Sequence, residues 1–313
     1  MSLLYFLESL RFPALDKFML LITQLGEETA FLVAALIVFW CVDKKKGYYV
    51  MAVGFLGTLM NQLLKLTFRV PRPWVLDPNF TVVEGSVEAA TGFSFPSGHS
   101  TSSVGTFGAI GYASGNSVVK WICYAICVLV PFSRLYLGVH TPTDVLVGAG
   151  LSVYLVKILS PIVWRHSENG TKNLLTMLLS LAFCLLLFAE FFPFTIAEAD
   201  LHNLTSGSKN AYTILGAVAG LMIVYPLERK YVNFETKAIW WVQILKILLG
   251  FAVVLGVKEG LKSPLDMLFA GHMAARAVRY CLVVLVAGLV WPMTFRWFSK
   301  IGVKNELRDH QEL

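Results

Sequence analysis

Between two long apolar runs, the stretch from Ser133 to Asp144 carries an arginine, a histidine and an aspartate: Arg134, His140 and Asp144. Ionisable groups this close to hydrocarbon cost free energy, so each calls for a function or a partner. Thr141, Pro142 and Asp144 stand in the order of a helix start: a capping hydroxyl, a proline at the first helical position and an acid three residues after the cap. His140 is thereby set just outside a helix N-terminus, where free backbone N–H groups and the positive end of the dipole attract an anion. Arg134 adds a planar fork matched to phosphate oxygens. A neutral imidazole at such a place can attack phosphorus, and a carboxylate bonded to its other ring nitrogen would fix its tautomer and orientation. The same residues also suit a plain helix cap beside a histidine packed in a loop. What separates the two is whether other phosphate-binding groups reach the same end of the molecule.

Two further segments carry such groups. Lys65, Arg69 and Arg72 follow an apolar run and precede Pro73 and Trp74. Basic residues near helix ends ordinarily snorkel to the interface. Pro96-Ser97-Gly98-His99 closes a long polar loop carrying Asp77, Glu84 and Glu88. The glycine there allows close backbone approach at a second helix start, again an N-terminus able to face an anion.

The elements that must position these groups are membrane helices. Of 313 residues 56% are hydrophobic and only 15% charged, the mean hydropathy is +0.65, and apolar runs near the ~20 residues that span hydrocarbon recur throughout. The expected fold is an all-α polytopic bundle. Residues 2 to 24 are too interrupted to span and read as an interfacial or re-entrant helix. Spans follow at about 27–42, 48–68, 100–112, 121–132, from 142 onward, and 174–192, with three more at about 212–227, 239–257 and 278–295. This divides the chain into residues 1–192, a six-span core, and residues 193–313, additional helices whose role the sequence leaves open. The amino-terminal residues have no basic n-region and no small-residue cleavage site, so no removable leader is expected.

Orientation follows from Asp43-Lys44-Lys45-Lys46, a lysine triplet expected on the cytoplasmic side. Arg165 and His166, Arg229, Lys230, Lys237, and the tail residues Arg296, Lys300, Lys304 and Arg308 fall on the same side by alternation, and Lys258, Lys262, Arg276 and Arg279 are the exception. Glu198, Asp200 and His202 fall in an outer loop. The three segments with chemistry then emerge together on the extracytoplasmic face. The net charge of +6 includes no basic run of the kind that binds nucleic acid. All five cysteines lie in apolar runs and read as buried packing residues, without metal-ligand spacing. Gly216 and Gly220 read as a helix-packing face.

Taken together, Lys65 with Arg72-Pro73, then Pro96-Ser97-Gly98-His99, then Ser133-Arg134 with His140 and Asp144 resemble the three-part signature of the type 2 phosphatidic acid phosphatase superfamily. That superfamily includes lipid phosphate phosphatases, undecaprenyl pyrophosphate phosphatases, sphingosine-phosphate phosphatases, sugar-phosphate phosphatases and vanadium haloperoxidases. The resemblance covers residues 60 to 145, and the six-span arrangement is similar to that of the membrane branch. It implies that His140 is the nucleophile of a phosphohistidine intermediate and that Asp144 orients it. His99 would protonate the leaving oxygen and later activate water, while Lys65, Arg72, Ser97, Gly98 and Arg134 would hold the phosphoryl oxygens. Phosphoryl transfer needs chiefly such charge stabilisation, and neither metal nor cofactor is expected. The substrate would be a lipid phosphate: the site residues lie at headgroup depth, and Trp74, Phe80, Phe93 and Phe95 suit an aromatic rim around it. The rivals are a lipid transporter or scramblase using the same groups to hold a headgroup, a phosphotransferase to an acceptor other than water, and a phosphatase for sugar phosphates.

Overall fold

The computed structural model describes residues 1–88, 90–164, 168–193, 200–299 and 301. It is helical throughout, with no strand among the described residues. Arg165, His166, Glu198, Lys300, Lys304 and Arg308, invoked above for the loops and tail, lie outside the described residues.

The helices are α1 (Ser2–Ser9), α2 (Pro13–Gln24), α3 (Glu28–Ile37), α4 (Lys44–Phe68), α5 (Pro73–Leu76), α6 (Gly98–Ala113), α7 (Ser117–Tyr136) and α8 (Pro142–Trp164). They continue with α9 (Glu168–Phe191), α10 (Leu201–Leu227), α11 (Trp240–Gly260), α12 (Lys262–Leu268) and α13 (Ala274–Leu285), and short turns run on to Phe298. Seven described helices are long and apolar enough to cross a membrane, and α2 with α3, bent by 54° at their junction, make an eighth if counted as one span. The chain is an integral, multi-pass membrane protein. Helices stand at all nine places where spans are expected. The shortfall lies at α6, whose 16 residues reach only ~24 Å.

Boundaries shift by a few residues where a proline or a cap decides them. Asp43 caps α4 by accepting from the Lys46 amide at 2.9 Å, so the lysine triplet lies inside the first turn rather than in a free loop. The α7 helix continues through Pro131 and keeps Ser133 and Arg134 helical, because one lost hydrogen bond does not end a helix held along both neighbouring turns. Five-residue wide turns extend α3 (Val38–Val42), α10 (Glu228–Val232) and α13 (Val286–Val290). Such turns misalign backbone carbonyls, and the carbonyl of Ala287 in one accepts the Trp40 indole of another at 2.9 Å.

The core is organised on α4, which buries Tyr49, Val50, Val53, Phe55, Leu59 and Leu66 among others. Hydrocarbon supplies no driving force for helices to associate, so close approach does the work. Gly54 lies against the Phe31 ring, and a Cβ there would come within 2.2 Å of it. Gly216 and Gly220 do the same on α10, against the backbone of Ala277 and Cys281 on α13. The α10 helix packs on α4, α9 and α13, and a single apolar cluster runs from Phe31 on α3 to Phe295 near the C-terminus. At the end of α4 remote from Lys65, Lys44 bonds the fully buried Glu228 at 2.9 Å, tying the start of α4 to the end of α10. Of the cysteines, Cys123 is buried, whereas Cys184 is exposed. The expectation of five buried cysteines therefore holds only at Cys123: Cys41, Cys127 and Cys281 are partly covered and Cys184 is exposed, because an apolar run in a membrane helix has a face that no other helix covers.

Candidate active site

Three chain segments converge at the end of α4. The helix stops at Arg69, whose left-handed backbone (φ 47°) terminates it, and the turn that follows brings Arg72 back over the bundle. The Arg72 guanidinium is almost fully saturated: Nη1 donates to Val139 O at 3.0 Å, Nη2 to Thr91 O at 2.9 Å and Nε to Gly92 O at 3.2 Å. Lys65 is buried and donates to the carbonyl of Phe93. The loop from 77 to 97 is thus held by the same cations that face the site.

His140, 1% exposed, is set by the turn between α7 and α8, where Gly138 at φ +82° supplies a conformation L-residues avoid. The helix start read from the sequence is present: the Thr141 amide donates to Asp144 Oδ2 at 2.8 Å, and the Asp144 amide to Thr141 Oγ1 at 3.3 Å. Asp144 Oδ2 also lies 3.4 Å from His140 Nδ1, so the cap and the histidine share one carboxylate oxygen. Arg72 Nη1 sits 2.9 Å from His140 Nε2. Guanidinium only donates, so Nε2 presents its lone pair and Nδ1 carries the proton toward Asp144. Burial, and then the charges of Arg72, Arg134, Lys65 and His99, hold the His140 imidazole well below its usual range, leaving it neutral at pH 7.

Arg134 is fully buried. Its Nη1 donates to Thr23 Oγ1 at 2.7 Å, while Nε and Nη2 find no partner among the described residues. Unpaired guanidinium nitrogens away from water are costly, and their orientation suits an anion. His99, in the first turn of α6, likewise leaves Nε2 buried without a partner. A cavity of about 100 Å³ joins them, lined by Lys65, Arg72, Gly98, His99, Arg134 and His140. Five cationic or imidazole side chains around so small a volume fit one phosphoryl group.

Two expected residues stand apart from that cavity. Asp144 lies behind His140. Ser97 is fully buried and caps α6, accepting the Ser100 amide at 3.3 Å and the Ser100 hydroxyl at 2.9 Å. The expected aromatic rim is also corrected: Phe80 and Phe93 are buried, Phe80 beneath Arg11 and edge-on to Tyr5. The exposed apolar residues at that place are Phe68, Val75 and Leu76.

Sequence reading missed three contributors. Ser94 donates to Asp144 Oδ2 at 2.6 Å and lies 3.4 Å from His140 Nδ1. The amino-terminal helices brace the site from outside: Thr23 holds Arg134, Asp16 accepts from the Tyr136 hydroxyl at 2.7 Å, and Arg11 donates to Tyr136 O at 3.0 Å. Finally, α10 contributes Asn203, Ser206 and Asn210 to the cavity wall.

The profile of the PAP2 superfamily matches residues 45–168, and that of the PAP2 superfamily phosphatase transmembrane extension matches residues 212–304, which accounts for the helices the motif resemblance left unexplained. A probable sphingosine-1-phosphate phosphatase of Dictyostelium discoideum is 32% identical over 49% of this chain and 39% of its own length. The undecaprenyl-diphosphatase BcrC of Bacillus subtilis is 29% identical over 42% of this chain and 66% of its own. Phosphatidylglycerophosphatase B of Bacillus subtilis is 33% identical over 47% of this chain and 74% of its own. The chain therefore spans two thirds or less of the first two relatives and about three quarters of the third, and by that third match and its superfamily profile it belongs to the PAP2 superfamily.

Proposed function

We propose that this protein is an integral membrane phosphatase that hydrolyses a lipid phosphate or isoprenyl (di)phosphate through a phosphohistidine, at the extracytoplasmic face and without a metal. The observation that carries the reading is the small cationic cavity lined by His140, whose Nε2 accepts from Arg72, and by Arg134, two of whose nitrogens have no partner among the described residues. The relatives named for undecaprenyl diphosphate, phosphatidylglycerophosphate and sphingosine 1-phosphate all act on phosphates with long apolar tails, which supports a lipid substrate here.

In this mechanism His140 Nε2 forms a bond to phosphorus as the bond to the leaving oxygen breaks. Lys65, Arg72, Arg134 and the Gly98 amide take up the charge on the three equatorial oxygens. Asp144 holds the Nδ1 proton and stabilises the imidazolium that results. His99 takes up a proton together with the anionic substrate, gives it to the leaving oxygen, then removes one from the water that attacks the phosphohistidine. Inorganic phosphate and the dephosphorylated lipid leave, and both histidines return to their starting state. Ser97 acts by capping the helix that carries His99.

The test is phosphate release by purified protein on a panel of lipid phosphates. We expect His140→Ala to lower turnover by about 10⁴-fold or more while leaving the protein folded, and vanadate to inhibit. Activity should persist in a chelator. Near-normal release by folded His140→Ala would overturn the nucleophile, and a strict divalent-metal requirement would overturn the mechanism.

A further inference from the structure

Beside the phosphoryl cavity lies a larger one of about 440 Å³, bounded by α3, α4, α6, α10 and α13. The two adjoin: Gln62, Gly98, His99 and Asn210 line both. From that junction the larger cavity runs toward the middle of the bundle. Along α4 it reaches from Asn61 back to Phe55, and along α10 from Asn210 to Ala217, a depth of about 10 Å at 1.5 Å per residue. Its lower walls are apolar: Phe31, Phe55, Ile214, Ala217, Val283 and Val284.

We infer that this groove binds one long apolar chain of the leaving group, and that the C-terminal extension, through α10 and α13, forms the wall that selects it. The inference rests on the phosphatase reading for the identity of the occupant. Three features favour that occupant. His99, the residue assigned to the leaving oxygen, lies in the wall common to both cavities, so a chain attached through that oxygen begins beside the groove. Glu27 and Glu28 line the groove and disfavour a second phosphate there. The volume lies toward the lower end of the ~300–1,000 Å³ that encloses a whole small ligand, enough for one chain between five helices and too little for two. A substrate with two chains would leave one in the bilayer.

Isoprenyl, monoacyl and sphingoid phosphates share this chemistry, and each is one arm of the test, with a diacyl phosphate as a fourth. Steady-state rates are measured on the full-length purified protein for long- and short-chain members of each arm. The wild type should favour the long-chain member through kcat/KM, with single-chain arms ahead of the diacyl arm. Ala217→Phe, which narrows the groove, should lower the long-to-short ratio of kcat/KM at least tenfold, and Val283→Ala, which widens it, should shift preference toward bulkier chains. Equal loss on long and short substrates, or no change in the ratio for either folded variant, overturns the groove while phosphate release itself still supports the phosphatase. A photoreactive single-chain lipid phosphate provides a readout independent of turnover. Crosslinks on α10 or α13 that the Ala217→Phe substitution reduces support the inference, and crosslinks confined to the outer faces of α7 and α8 overturn it whether or not phosphate is released.

Discussion

Ser94 hands its hydroxyl to the carboxylate oxygen that also takes the Thr141 amide and faces His140 Nδ1. Three donors on one oxygen fix the direction in which Asp144 presents its charge to the imidazole, so under the proposed mechanism Ser94 positions His140 without itself lining the phosphoryl cavity. Hydrogen bonds to charged groups contribute ~1.5–3 kcal/mol. Ser94→Ala should therefore lower kcat by about tenfold or more, with KM little changed and the effect largely absent in an Asp144→Asn background; a pure KM effect would instead put Ser94 in substrate binding. Stability carries a second signature of the same pair. The folded pKa of His140 is depressed, by burial and then by Arg72, Arg134, Lys65 and His99, whereas the unfolded chain takes up its proton near pH 6.5. The unfolded state thus binds more protons below that pH, so stability is full above about 6.5 and falls as the pH drops below it. Thermal unfolding in detergent should show a Tm that declines from pH 7 to pH 5, less steeply in His140→Asn; identical slopes would contradict the shift.

At the scale of elements, the site depends on how closely α8 approaches the start of α6. Gly148 permits this, for a Cβ there would lie 2.7 Å from Ser97 O and 2.9 Å from Thr101 Oγ1. Gly148→Val must push the helix carrying His99 away from the helix carrying Asp144. Overpacking of this kind costs about 1–3 kcal/mol, and the expected outcome is a lower Tm together with a loss of activity larger than the loss of folded protein. Unchanged kinetics at wild-type Tm would mean that α6 and α8 slide without consequence.

The same scale explains what the sequence made legible. His99, Arg134, His140 and Asp144 sit beside local signals, a cap, a proline or a glycine, so their neighbourhood announces them. Ser94 has none: a loop serine carries no period, and its role exists only once the chain returns to Asp144 fifty residues later. The α10 contribution did leave a trace, because Asn203, Ser206 and Asn210 recur at spacings of three and four and so form one polar stripe on an apolar helix. The packing role of Gly216 and Gly220 was legible for the reason their contacts with α13 give. Phe80 and Phe93 were misread as a rim because aromatic type does not tell an interfacial residue from one folded under its own loop.

For the whole molecule, α4 sets the axis. Its 25 residues separate the lysine triplet from Lys65 by most of a bilayer thickness. The positive-inside rule then assigns the two ends to opposite compartments. In sealed vesicles of known orientation, a cysteine at exposed Asn79 should react with an impermeant thiol reagent from the extracytoplasmic side, and one at exposed Lys45 from the cytoplasmic side. The reverse pattern would invert the molecule and move phosphate release to the cytoplasm. The shared wall provided by α10 also has a consequence for biosynthesis. Every residue assigned to phosphoryl chemistry has been synthesised once Asp144 is made, yet Asn203, Ser206 and Asn210 complete the cavity only after some sixty further residues are added. A nascent chain paused between these points holds its histidines in an open cleft, so competence is acquired late, as a property of the assembled bundle rather than of the motif.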